Sequence, residues 1–244
     1  MSSTRVFPPN DISTEKHPLF YYITNRNSQV VPNEASLLRL ARKIIAWGVD
    51  FIQIREKDLP DCRLFELTRG IVKIARGSRC RVLVNGRADI AVAADADGVH
   101  LASSGPEISS IRVWIPKKFI VGISVHTMKE LHAACAGGAD YILVGHIFPT
   151  ASKESMGAPL GLDFLRRACR GASAPVLALG GITAERIPAI MEAGSAGVAG
   201  ISLFQKNAEF TSLKLLEYQG FSKAVDMDRS RISRKRPTSV SSVF

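Results

Sequence analysis

Short runs of β-branched and aromatic residues alternate along the chain with longer stretches whose apolar positions recur about every 3.6 residues. Eight runs read as strands, at 19–24, 50–55, 81–85, 98–101, 119–124, 139–145, 175–180 and 197–202. Between them, 34–47, 64–76 and 128–136 have amphipathic helical spacing. Thr127 with Glu130 three residues later predicts a capping box, and Thr183 is placed to cap a helix beginning near Ala184. Gly48, Gly137 and Gly194 fall where helices should stop.

Regular alternation of this kind implies a parallel sheet. Eight units in 244 residues, close to the about 250 of one closed barrel, predict a single (β/α)8 TIM barrel rather than an open doubly wound sheet. The expected division is an N-terminal extension (1–18), the barrel (19–219) and a C-terminal tail (220–244).

Composition narrows the class. Hydrophobic residues make up 46% of the chain and charged residues 22%, as in a globular protein with a sizeable core. No stretch reaches the roughly 18 apolar residues of a membrane span, and the polar start has no apolar core of signal-peptide type. Cys62, Cys80, Cys135 and Cys169 form neither a CxxC pair nor a zinc spacing, so they read as free thiols of a cytoplasmic protein. The net charge is +10; Ser- and Arg-rich residues 221–244 hold six basic residues against two acidic ones, which leaves +6 on the rest. A tail of that composition is expected to be disordered, and so short a basic segment does not make nucleic acid an expected partner. The positive body favours anionic substrates.

In a barrel the chemistry collects where strands end. Gln53 and Arg55 lie at the end of the second run, with Glu56, Lys57 and Asp58 after it, and Asn85 with Gly86 ends the third. Ser124 ends the fifth run and His126 follows it; His146, Thr150, Ser152 and Lys153 follow the sixth. Gly180 and Gly181 end the seventh, Ile201 and Ser202 the eighth. The glycine pair before a helix lets a phosphate reach bare backbone N–H groups, and Ile201 and Ser202 would complete the cup. Arg55 and Lys57, two apart, should share a face and need an anion; the other reading pairs them with Glu56 or Asp58. Thr150, Ser152 and Lys153 lie on the longest loop, either closing over an anion or simply solvated. His17 and His132 read as bland and His100 as a satisfied core residue; His126 and His146 are the acid–base candidates.

The runs VDFIQIREK, VNGRADIAVAADADGVHL, GISVHT, ADYILVGHIFPTASK and LALGGIT, in this order, resemble the thiamine phosphate synthase / TenI family over roughly residues 19–216. The resemblance implies a barrel working on phosphorylated intermediates of thiamine. In its synthase branch, Gln53, Arg55, Lys57, Asn85, Ser124 and the Thr150/Ser152/Lys153 loop would hold an aminopyrimidine diphosphate. Gly181, Ile201 and Ser202 would hold a thiazole phosphate, and Mg²⁺ would assist. That branch carries two metal-holding aspartates where this chain has Gly86 and Gly105. Asp89 and Glu107 are the nearby carboxylates. The TenI-like branch shares the VNGR form and a histidine at His146, and aromatises a carboxythiazole phosphate without metal, with His126 moving the proton. The sequence therefore favours a metal-independent thiazole tautomerase, with the synthase as the alternative. A non-catalytic regulatory ligand-binding protein on the same fold is the third reading. A homo-oligomer acting on a small thiazole phosphate is expected.

Overall fold

The structure, a computed structural model, describes residues 18–150 and 157–205. Eight strands, β1 (Leu19–Ile23), β2 (Phe51–Ile54), β3 (Arg81–Asn85), β4 (Gly98–Leu101), β5 (Ile120–Val125), β6 (Tyr141–Gly145), β7 (Val176–Leu179) and β8 (Gly197–Gly200), pair in sequence order. Every pairing is parallel, and β8 closes on β1. Helices α1 (Glu34–Ala46), α2 (Asp61–Ala75), α3 (Ala88–Ala93), α4 (Ile108–Arg112), α5 (Met128–Ala136), α6 (Gly161–Gly171), α7 (Ile187–Glu192) and α8 (Ser202–Gln205) follow the strands in turn. The fold is a single (β/α)8 barrel, as the alternation predicts.

The strand period of two sorts the apolar residues into two cores. Leu19, Tyr21, Phe51, Leu83, Tyr141 and Leu177 fill the barrel interior. Phe20, Tyr22, Ile52, Val84, Val99 and Ile142 face the helices. Glycine makes room for the largest interior ring: a Cβ on Gly122 would lie 1.9 Å from Cζ of Tyr141.

Three acidic residues staple the lower rim. Asp50, Asp97 and Asp140 directly precede β2, β4 and β6. Their carboxylates accept from the backbone N–H groups of Phe20 (2.8 Å), Val82 (2.8 Å) and Val121 (2.7 Å) on the preceding strand. Arg79, Arg81 and Arg112 pair with the same three carboxylates. Asp50 therefore belongs to the rim rather than to its predicted strand.

Thr127 caps α5 as expected, accepting from the Glu130 N–H, while the Glu130 carboxylate accepts from the His126 N–H. Thr183 does not cap with its side chain: a 3-10 turn (Ala184–Arg186) follows, and the Arg186 N–H goes to the Thr183 carbonyl. Gly48 and Gly194 end helices with left-handed backbone, and α5 stops at Gly137 as expected, with the left-handed residue one further on at Gly138. Among the described residues no helix is long and apolar enough to cross a membrane, and the four cysteines are free. The expected extension up to His17 and the basic tail lie outside the described residues.

Candidate active site at the barrel mouth

A continuous line of hydrogen bonds crosses the upper barrel. Gln53 Nε2 donates to Asn85 Oδ1 (2.8 Å) and Gln53 Oε1 accepts from the Tyr21 hydroxyl (3.0 Å). The Tyr21 and Tyr141 hydroxyls are 2.8 Å apart. His100 Nδ1 lies 2.8 Å from the Tyr141 hydroxyl, and His100 Nε2 lies 2.8 Å from Ser124 Oγ. Tyr21, Gln53, His100 and Tyr141 are sealed from water, whereas Asn85 and Ser124 are half-buried at the mouth. Burial, with the Arg55 charge adding to it, holds the His100 imidazole down at about 3, so it is neutral. His100 is thus a satisfied core residue, as expected, but its partners connect it to the site.

At the β2 end, Arg55 and Lys57 are exposed and Glu56 between them is buried. They do not pair with Glu56 and Asp58, because Arg26 takes both acids. The Arg26 backbone N–H donates to the Glu56 carboxylate, and its guanidinium meets Asp58 at 2.7 Å. Burial raises the Glu56 carboxyl above its ordinary value. The Arg55 charge reaches His100, while Lys57 lines a cleft of about 280 Å³ with Ile54, Asp61, Asn85, Gly86 and Arg87.

The same cleft tests the fit of Mg²⁺. The ion is held through carboxylates and substrate phosphates. Gly86 and Gly105 offer no side chain. Asp61 and Asp89 are both engaged by the fork of Arg87, which holds their carboxyls below the usual range. Glu107 is exposed and accepts from Ser109. Among the described residues no three His, Cys, Asp or Glu side chains converge. These residues do not fit a two-carboxylate magnesium site, and neither Asp89 nor Glu107 replaces the missing aspartates.

His126 stands just past β5, with Nδ1 3.4 Å from the Glu130 carboxylate and 3.5 Å from Ser103 Oγ. Its side chain is 32% exposed, which leaves it reachable. His146 is buried, its Cβ against Gly180. A Cβ on Gly181 would come within 2.7 Å of the Phe148 and Pro149 carbonyl oxygens. Both glycines have positive φ, 93° and 65°. The pair is therefore demanded by the loop after β6, a packing reason the sequence reading did not include. Arg186 ties the corner, donating to the Gly181 carbonyl and lying over the Phe148 ring. The backbone N–H groups of Gly181, Ile201 and Ser202 have no acceptor among the described residues. Thr150 is half-buried; Ser152 and Lys153 lie outside the described residues. A second cavity, about 300 Å³ at the opposite end of β7 and β8, has no charged lining residue.

The family model described as thiamine monophosphate synthase, TMP-TENI, matches residues 20–204. The chain belongs to the TMP-TENI family. Within it, the thiamine-phosphate synthase of Roseiflexus castenholzii is 34% identical over 206 residues, 82% of this chain and 89% of that one. The thiamine-phosphate synthase of Methanocella arvoryzae is 38% identical over 173 residues, 71% of this chain and 82% of that one. The thiamine phosphate pyrophosphorylase structure from Pyrococcus furiosus superposes with a TM-score of 0.72 at 27% identity, covering 86% of this chain and 99% of that one. Membership makes this chain an enzyme of thiamine biosynthesis. Sequence reasoning placed the candidate site at the strand ends and did not include Tyr21, Tyr141 or the Arg87 fork among its residues. Tyrosines inside strands read as core, and ion pairs between loops leave no periodic signal.

Proposed function

We propose that this TMP-TENI enzyme is a thiamine-phosphate synthase. The thiazole phosphate sits in the cup of Gly180, Gly181, Ile201 and Ser202, its phosphate on backbone N–H groups. The aminopyrimidine ring lies over Gln53, Asn85 and Ser124. Its diphosphate faces Arg55 and Lys57, and Thr150, Ser152 and Lys153 would add their hydroxyls and amine to its grip. The thiazole nitrogen forms a C–N bond to the pyrimidine methylene carbon. The C–O bond to the diphosphate breaks, and pyrophosphate leaves with the electron pair. No proton moves in that step, so the enzyme's task is to align two rings and stabilise charge on the leaving group. Two exposed cations whose acidic neighbours are occupied by Arg26 suit that charge.

The observation that carries this reading is the hydrogen-bonded row ending at Asn85 and Ser124. It gives the mouth a ring-recognising half that a phosphate grip with one proton shuttle does not need. The names and coverage of the relatives weigh in the same direction. The thiazole tautomerase favoured by the sequence stays as the second reading. It draws on Gly86 and Gly105 in place of carboxylates, and on His126 held against Glu130.

Both substrate sets, offered with and without Mg²⁺, separate the two. Pyrophosphate release on mixing the diphosphate with thiazole phosphate is the expected result. Aromatisation of carboxythiazole phosphate, lost in His126→Ala and without any pyrophosphate release, would replace the synthase by the tautomerase. Tight thiazole-phosphate binding with neither activity would leave the regulatory protein.

A further inference from the structure

The hydrogen-bond row has a direction. Each tyrosine hydroxyl has one hydrogen, and a neutral imidazole has one. The Tyr21 hydrogen is given to Gln53 Oε1, because Gln53 turns its Nε2 to Asn85. The Tyr21 oxygen can then only accept, so Tyr141 donates to it. With the Tyr141 hydrogen used, its oxygen accepts from His100, which must carry its hydrogen on Nδ1. His100 Nε2 is then a bare lone pair and accepts from Ser124. Every donor in the row points from β5 toward β3.

We infer that Tyr21, Tyr141 and His100 are positioning residues that fix the polarity of the barrel mouth, leaving Ser124 Oγ only as an acceptor and orienting the Asn85 amide with its oxygen toward Gln53, so that its NH2 is the group left to donate to a bound ring. Ser124 has spent its one hydrogen on His100, and Asn85 turns its oxygen to Gln53, which leaves its NH2 without a partner in the row. A ring that fits presents a donor to Ser124 and an acceptor to Asn85. An exocyclic amino group beside a ring nitrogen has that pattern; a pyrimidinone, with a ring N–H beside a carbonyl, has it reversed. The interior links are sealed, at 0% exposure for Tyr21, 1% for Tyr141 and 2% for His100, so water cannot supply substitute hydrogens. Gly122 keeps the Tyr141 ring in place, since any Cβ there would overlap it. The identity of the ring rests on the synthase reading; the polarity does not.

The test is the His100 tautomer in the full-length protein at neutral pH, read by long-range ¹⁵N–¹H NMR with His100→Gln used to assign the signals. The expected spectrum shows hydrogen on Nδ1 and an unprotonated Nε2. Hydrogen on Nε2 would reverse the row and overturn the inference. Tyr141→Phe removes the acceptor for Nδ1–H, so the Nε2-protonated form should appear and free the Ser124 hydrogen. Binding of a 4-aminopyrimidine alcohol and of the matching 4-pyrimidinone adds the functional readout. The wild type should favour the amine roughly tenfold, and Tyr141→Phe should cut that ratio to about twofold, as the loss of one matched hydrogen bond would. An unchanged ratio in Tyr141→Phe would also overturn the inference. If neither probe binds while the tautomer is on Nδ1, the pyrimidine half of the synthase reading fails and the polarity stands.

Discussion

His100 couples the site to acid stability. In the unfolded chain its imidazole protonates near 6.5, whereas the folded barrel keeps it neutral down to about 3. The unfolded state therefore binds the extra proton across that window. The contribution of His100 is complete above pH 6.5 and falls progressively as pH drops toward 3. Urea unfolding of wild type and His100→Asn, compared from pH 7.5 to pH 4.5, should show their stability difference shrinking by up to about 1.4 kcal/mol per pH unit. A pH-independent difference would contradict the buried neutral imidazole. Gly181→Ala tests the corner beneath the proposed phosphate cup. Its φ of 65° and the carbonyls within 2.7 Å leave no room for a methyl group. A cost on the order of 1–3 kcal/mol is expected, with a raised KM for thiazole phosphate as the corner shifts. At this scale the sequence was legible where a residue's type states its need, as with His100, read as a satisfied core residue and found buried with both ring nitrogens partnered. It was silent where two loops meet, as with Arg26 taking Glu56 and Asp58.

Elements were legible in proportion to how local their signals are. The expected limits of β3, β4 and α5 match the structure because alternation and caps lie within each segment. The failure at Thr183 is a tertiary effect. Arg186 reaches back to the Gly181 carbonyl, and the chain enters α7 through a 3-10 turn rather than a side-chain cap. The capping box of α5 also serves the site, since one Glu130 carboxylate accepts from the His126 N–H at 2.6 Å and faces its ring. Thr127→Ala should cost about 1 kcal/mol of stability and leave His126 held. Glu130→Ala should release His126 as well, and the two variants separate stability from chemistry. Under the synthase reading neither variant lowers kcat by more than about threefold, because no proton moves in the step. The rim staples recur before β2, β4 and β6 but not before β8, a repeat hidden in sequence because only a single aspartate marks each one. Asp140→Ala strands the Val121 N–H and removes the only carboxylate partner of Arg112 among the described residues, leaving it the Phe119 and Gly138 carbonyls. Chemical denaturation should show a loss of about 1–3 kcal/mol.

Counting eight units against chain length was enough to read the closed barrel, because closure leaves few other arrangements for a parallel sheet of that number. Charge belongs to the same scale. The chain carries +10, and at the mouth Arg55 and Lys57 stay exposed while neighbouring acids are tied to Arg26 and Arg87. Phosphorylated substrates should therefore be drawn to the mouth before they touch it. Salt shortens the reach of that field from about 30 Å at 0.01 M to about 8 Å at 0.15 M. With substrate encounter limiting, kcat/KM for the diphosphate substrate should fall roughly tenfold across that range. Under the synthase reading the value of kcat should stay flat, because a bound diphosphate would be held by contacts shorter than either screening length. Stopped-flow binding and steady-state turnover at matched salt concentrations check both halves. A kcat that falls in parallel with kcat/KM would mean that salt weakens the leaving-group contacts themselves, and that Arg55 and Lys57 act on the chemical step from a solvent-screened position. A kcat/KM indifferent to salt would mean that the excess charge lies too far from the mouth to steer, and that the cup of Gly181, Ile201 and Ser202 gathers its phosphate by contact alone.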